Sequence, residues 1–146
     1  MQINLAELND NLNPAARQII RDLTFSPDSA GVEMAAKVRK YLDIDLNTQF
    51  HWKNTDLAFK AWRRLLDRHG VFIFKEAFKD DAISGFCIHD KRFSVIYINN
   101  SKPDTRQIFT LFHELAHLLL GTGGINTRSK EPQRFPMFVN ILTYHV

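Results

Sequence analysis

The spacing of hydrophobic residues divides the chain into helical segments, a strand-like middle and a final helix. Apolar residues recur at helical spacing over 13–25, 30–44 and 54–70. Pro14 suits the start of the first helix, Asn54 or Thr55 can cap the third, and Gly70 can end it in the left-handed conformation. The pattern therefore predicts three helices in the N-terminal half.

The middle of the chain has the composition of a small sheet. Runs rich in β-branched and aromatic residues cover 71–75, 82–90 and 93–99, and the polar link at 90–92 predicts an antiparallel hairpin between the last two. A further helix should begin near Pro103 and run to about Leu120, before a glycine-rich stop. This order predicts an α+β fold: N-terminal helices and a small, three-stranded, mostly antiparallel sheet packed on the final helix.

The final predicted helix carries polar groups where an apolar core is expected. Its sequence, FTLFHELAHLLLG at 109–121, is apolar nearly all round, which is typical of a buried helix. Burying histidine or glutamate without partners costs several kcal/mol. His113 and His117 are one turn apart on one face, and Glu114 lies about 100° around the helix.

A metal ion explains this H-E-x-x-H pattern. Two neutral imidazoles at i and i+4 can bind one zinc ion, and a catalytic zinc site uses three protein ligands and a water. Glu114 would act as general base on a metal-activated water, which would then hydrolyse a peptide or related amide bond. We expect both histidines to face one side of the helix, with the sheet on the opposite side. The alternative is a pair of core histidines with hydrogen-bond partners of their own and a surface glutamate.

Composition limits the other functions. The formal net charge is +3 and the basic clusters, at 37–40 and 62–68, are typical of solvated helix faces, so direct nucleic-acid binding is only a minor alternative. The single cysteine, Cys87, excludes an intramolecular disulfide and fits a reducing compartment. No apolar run reaches the roughly 18 residues of a membrane span, and no secretory signal is present. We expect a cytoplasmic protein without membrane contacts.

The remaining histidines give weaker signals. His51, His69 and His89 occur in polar or terminal contexts, which favours surface or capping roles. His145 is the penultimate residue and is expected to belong to the tail, with a role as metal ligand as the alternative.

Several motifs together resemble the ImmA/IrrE family of metallopeptidases. The matching stretches are GVFIF (70–74), ISGFCI (83–88), VIYIN (95–99) and RQIFTLFHELAHLLLG (106–121). They occur in the family's order over roughly 30–127. The last motif is specific, and the others support it by order and spacing.

The resemblance implies a minimal zincin-like fold of the gluzincin type. It makes His113 and His117 metal ligands for Zn²⁺ and Glu114 the catalytic base. Members of the family often act in bacteria, mobile elements or phages, where they cut helix-turn-helix repressors or similar regulators and so release transcription. A regulatory protein is therefore the implied partner.

The C-terminal stretch differs from the family pattern, which supplies a third, acidic ligand from a downstream helix. Here the stretch reads KEPQRFPMFVNILTYHV, and Pro132 and Pro136 interrupt any such helix. Glu131 is the nearest downstream carboxylate and the predicted third ligand. A loop-held Glu131 predicts weak metal affinity and low activity.

These features predict three regions and leave two main functions open. The regions are an N-terminal helical extension (1–28), a zinc metallopeptidase-like domain (29–127) and a divergent tail (128–146). The first function is a zinc metallo-endopeptidase that cleaves a regulatory protein. The alternative is a truncated or catalytically impaired peptidase-like domain that acts as a binding or sensing module.

Overall fold

The computed structural model of the chain describes residues 13–26, 28–89, 93–121 and 142. Five helices and three strands lie in these residues, in the order helices, sheet, helix. The helices are α1 (Ile19–Asp22), α2 (Gly31–Leu42), α3 (Leu46–Phe50), α4 (Thr55–Arg68) and α5 (Asp104–Leu120), and the strands are β1 (Val71–Glu76), β2 (Gly85–His89) and β3 (Ser94–Asn99). The fold is α+β, as the order of the hydrophobic patterns predicted. No helix in this part of the chain is both long and apolar enough to cross a membrane.

The boundaries of α4 follow from local chemistry. The Asn54 side chain accepts a hydrogen bond from the Leu57 backbone N–H at 2.9 Å, which satisfies one of the unpaired donors of the first turn. Beyond the last turn, Gly70 adopts a φ of +84°, which glycine reaches without steric cost. The predicted cap and stop of this helix are both confirmed.

The sheet is mixed, with strand order β1-β3-β2. β2 and β3 pair antiparallel, as the hairpin prediction required, but β1 pairs parallel to β3, with Val71 opposite Ser94. The prediction of a mostly antiparallel sheet is therefore wrong for one of the two pairings. The hairpin joins strands that are adjacent in sequence, so its polar link predicts it. β1 pairs with β3 although β2 lies between them in the sequence, and local patterning does not determine such a pairing.

The core lies between the sheet and the two longest helices. Ile73, Ile96 and Ile98 are buried on the face of the sheet that meets α4 and α5. Trp62 on α4 and Phe112 on α5 are completely buried and meet edge to face, with ring centroids 4.9 Å apart. This contact fixes α5 against α4.

The first helix is much shorter than the predicted 13–25. Asn13 explains the difference, because its side chain accepts from the Ala15 backbone N–H and donates to the Gly70 carbonyl oxygen. Such local side-chain bonds give the backbone an alternative to the helix. The Ile19 N–H then bonds the His69 carbonyl, so 13–18 is tied to the end of α4 instead of forming helical turns.

A hydrogen-bonded cluster of three side chains connects α1 to α2. Arg21 contacts the Asp22 carboxylate at 2.7 Å, and the Tyr41 hydroxyl donates to the same carboxylate. The Arg21 guanidinium, followed by the Tyr41 hydroxyl, keeps the pKa of Asp22 well below its ordinary value. The carboxylate is exposed, so this contact positions the short helix more than it stabilises the fold.

Gly85 sets how closely β2 approaches α5. A Cβ at this position would lie 2.6 Å from Thr110 Cγ2 and 2.6 Å from the Tyr97 carbonyl oxygen. The Thr110 hydroxyl donates to the Arg106 carbonyl at 2.8 Å, which fixes the rotamer of the threonine. Only glycine therefore fits between the strand and the helix.

We expect Gly85→Ala to lower the free energy of unfolding by about 1–3 kcal/mol, the usual cost of forcing extra volume into a packed contact. Chemical denaturation of both proteins measures the difference. Adding Thr110→Ser, which removes Cγ2 and keeps the hydroxyl, should restore only part of the loss because the Tyr97 carbonyl remains in place. An alanine variant as stable as the parent would show that the strand and helix can separate freely.

Candidate metal centre

One stripe of α5 is half-buried, and it carries both histidines. The stripe consists of Phe109, His113, His117 and Leu120, at spacings of four, four and three residues, while the other residues from 107 to 119 are buried. The prediction of a helix buried nearly all round is confirmed apart from this stripe. A half-open stripe gives the imidazoles access to a ligand from outside.

The two imidazoles face each other. The Nε2 atoms of His113 and His117 are 3.3 Å apart, and the ring planes are inclined by 72° with centroids 4.9 Å apart. Phe109 stacks on the outer side of His113, with centroids 6.2 Å apart. The prediction that both side chains share one side of one helix is confirmed.

The spacing of these nitrogens fits a shared zinc ion. Two nitrogens bound tetrahedrally at about 2.0–2.1 Å from zinc are separated by roughly 3.3–3.4 Å. A hydrogen bond through a single proton is the other arrangement of two neutral imidazoles, but N–H donors usually lie closer to their acceptors, at about 2.7–3.2 Å. The donor pair therefore fits a metal in both chemistry and distance.

Glu114 lies beside the pair on the buried side of α5. It is 2% exposed, although it adjoins a half-buried histidine in sequence. The alternative of two core histidines with a surface glutamate predicts the reverse distribution of burial. A carboxylate kept away from bulk water, on the same helical segment as the two imidazoles, is suited to proton exchange.

Strand β2 borders this site. Thr110, one turn before His113 on the same face, is the residue that meets Gly85 of β2. The sheet therefore does not lie opposite the histidines, and this part of the prediction is wrong. Helix α4, through Trp62 and Phe112, packs on another flank of α5.

The close contact of Gly85 with Thr110 was not predicted, although the sequence carries a signal for it. An isolated glycine inside a strand-like run indicates either a bulge or the close approach of another backbone. Here the approach is that of α5, and it brings the edge of the sheet to the histidines.

The third metal ligand is not found among the described residues. In 13–26, 28–89, 93–121 and 142, no group of three or more His, Cys, Asp or Glu side chains is arranged to hold a metal ion. Glu131, the predicted third ligand, and His145, the alternative, lie outside the described residues. Both assignments stay predictions.

Two other histidines have the capping role expected of them. His51 lies at the end of α3, and its Nδ1 donates to the Asn47 backbone carbonyl at 2.7 Å. His69 lies at the end of α4, and its Nδ1 donates to the Leu65 backbone carbonyl, also at 2.7 Å. His89 bonds the Ser94 hydroxyl at 2.8 Å across the β2–β3 pair. None of the three belongs to the His113–His117 pair.

Comparison with known families agrees with this geometry. Residues 66–136 match the family model Peptidase_M78, the IrrE N-terminal-like domain. The match covers all three strands and α5, begins inside the predicted domain 29–127 and runs past its end. Comparisons with curated proteins and with solved structures found no significant match.

The matched stretch is therefore similar to the IrrE N-terminal-like domain, which confirms the resemblance to the ImmA/IrrE family. The half-buried histidine pair with its buried glutamate lies within it.

Proposed function

We propose that this chain is a zinc-dependent metallo-endopeptidase that cleaves a regulatory protein, such as a helix-turn-helix repressor. The observation that carries the proposal is the 3.3 Å separation of the Nε2 atoms of His113 and His117. Both lie on the half-buried stripe of α5, and the neighbouring Glu114 is buried. The family match and the chemistry of the donors support it.

Each of the site residues has a distinct role in this proposal. His113 and His117 would hold the metal through Nε2, with Glu131 as the proposed third ligand. A bound zinc ion supplies Lewis acidity and lowers the pKa of a water at the site toward about 7. The Glu114 carboxylate would accept the proton of that water and later deliver it to the leaving amine.

The edge of the sheet offers a way to position a peptide substrate. β2 is at one end of the strand order and pairs only with β3 within the described residues. An extended peptide could add to this edge through main-chain hydrogen bonds, which would hold its backbone near the histidines. This would favour an extended, unfolded segment of the substrate protein.

Metal-dependent cleavage tests the proposal. The zinc-loaded protein and the same protein treated with chelator are incubated with a bacterial cell extract, and newly formed peptide termini are identified by mass spectrometry. We expect termini that appear only with zinc and disappear on chelation. Identical termini in both samples, with the metal shown to be bound, would contradict the peptidase and favour a binding or sensing module.

A further inference from the structure

A groove runs along the solvent side of α4, and neither His113 nor His117 lines it. It consists of two adjoining hollows of ≈ 270 and ≈ 390 Å³, which share Trp52, Ala61 and Arg64 as lining residues. Along α4 the lining positions are spaced as a single helical stripe, and they are Leu57, Lys60, Ala61, Arg64, Leu65 and Arg68. The stripe is about 16 Å long at the rise of an α-helix.

The floor of the groove is apolar. Trp52 is half-buried and rests edge to face on buried Trp62, with centroids 5.7 Å apart, so its ring is fixed in place. The small side chain of Ala61 leaves space beside this ring. Leu57, at one end of the stripe, is 44% exposed and adds apolar surface to the groove.

The rim of the groove is cationic. Four cations line the two hollows, Lys53, Lys60, Arg64 and Arg68, against the single carboxylate of Asp43. Lys60 pairs with Asp56 at 2.9 Å, an exposed contact that is easily exchanged. Arg64 and Arg68 are one turn apart, and neither forms an ion pair with a described residue. The sequence suggested only a solvated helix face here.

We propose that this groove binds an acidic amphipathic helix of a protein partner. An apolar side chain would lie against Trp52 and Ala61, and carboxylates one turn apart on the partner would meet Arg64 and Arg68. Arginine suits this contact because its planar fork binds a carboxylate through two hydrogen bonds. The inference goes beyond the peptidase site and does not depend on it, because no residue is shared.

The aliphatic floor favours a peptide over a nucleic acid. Leu57, Ala61 and Leu65 match the apolar face of an amphipathic helix. Nucleic-acid sites of comparable charge instead present aromatic stacking platforms along a polar, basic track, whereas only Trp52 and the His51 imidazole provide rings in this groove.

Binding of a defined probe tests the proposal. The probe is a short synthetic helix with leucine on one face and glutamate on the other, titrated into the isotope-labelled full chain and followed by NMR. A peptide with lysine in place of glutamate and a single-stranded oligothymidine serve as comparison probes. The variant Arg64→Glu/Arg68→Glu removes the cations, and Lys40→Glu/Lys79→Glu reverses two exposed charges elsewhere on the molecule as a matched control.

We expect the acidic peptide to shift the Trp52 indole N–H and the amides of α4. Its affinity should fall by at least about tenfold in the Arg64→Glu/Arg68→Glu variant and stay unchanged in the control. Absence of binding, equal binding by the two variants, or preferential binding of the lysine peptide would overturn the proposal. Tighter binding of oligothymidine at the same residues would overturn it in favour of a nucleic-acid site.

Discussion

Replacing Glu114 by glutamine is expected to lower peptide hydrolysis by about 10²–10⁴-fold, the usual contribution of a general base. Glutamine has nearly the same shape as glutamate, so the packing of this 2% exposed side chain should survive. The amide cannot accept a proton from water, and the proposed metal ligands His113 and His117 remain. Zinc content should therefore equal that of the parent while cleavage of an identified substrate nearly stops.

The chain offers a control for this substitution. Glu33→Gln makes the same chemical change on α2, where the carboxylate is exposed and pairs with Lys37 at 2.8 Å, and it should leave the rate unchanged. Circular dichroism of both variants separates loss of function from loss of fold. Glu114→Asp, which keeps a carboxylate but shortens its reach, should give an intermediate rate. A Glu114→Gln protein that cleaves as fast as the parent would show that Glu114 is not the base.

Local chemistry determined which parts of the fold were predictable. The ends of α4 follow from the Asn54 cap and the left-handed Gly70, and α5 ends at Gly121, where φ is +66°. The β2–β3 hairpin is likewise local. In each case the residues that determine the structure are close together in the sequence.

Contacts between distant residues account for what the sequence missed. Asn13 and Ile19 bond Gly70 and His69, some fifty positions away, and this shortens α1. The parallel pairing of β1 with β3 is also nonlocal. Helix α3, five residues long, was not predicted, because its Asp45 cap precedes a segment too short to show a helical period.

The candidate site, like the fold, could be predicted from the sequence only in part. Spacing alone places His113 and His117 on one face, and the structure confirms it. This face is also the only half-buried stripe of α5 between 107 and 120, and β2 lies at its border. Both features depend on how α4 and the sheet pack around the helix. Periodicity cannot supply that information, because apolar residues lie on nearly every side of α5.

Removing one histidine of the pair should nearly abolish zinc binding. The 3.3 Å separation of the two Nε2 atoms fits a shared ion, so neither imidazole is expected to replace the other. Residues that merely orient a metal ligand typically contribute 10–100-fold to affinity, so loss of the ligand itself should exceed about 100-fold. His51→Ala is the matched control, because His51 caps α3 away from the site. Glu131→Ala should weaken binding as well if Glu131 is the third ligand.

Zinc titration by calorimetry of the parent, His117→Ala and His51→Ala proteins is the most direct test of the metal centre. The site described here predicts one zinc per chain in the parent and in His51→Ala, and no measurable binding in a folded His117→Ala protein. A parent that binds no zinc, or a His117→Ala protein that binds it as tightly as the parent, would contradict a metal centre at these two histidines.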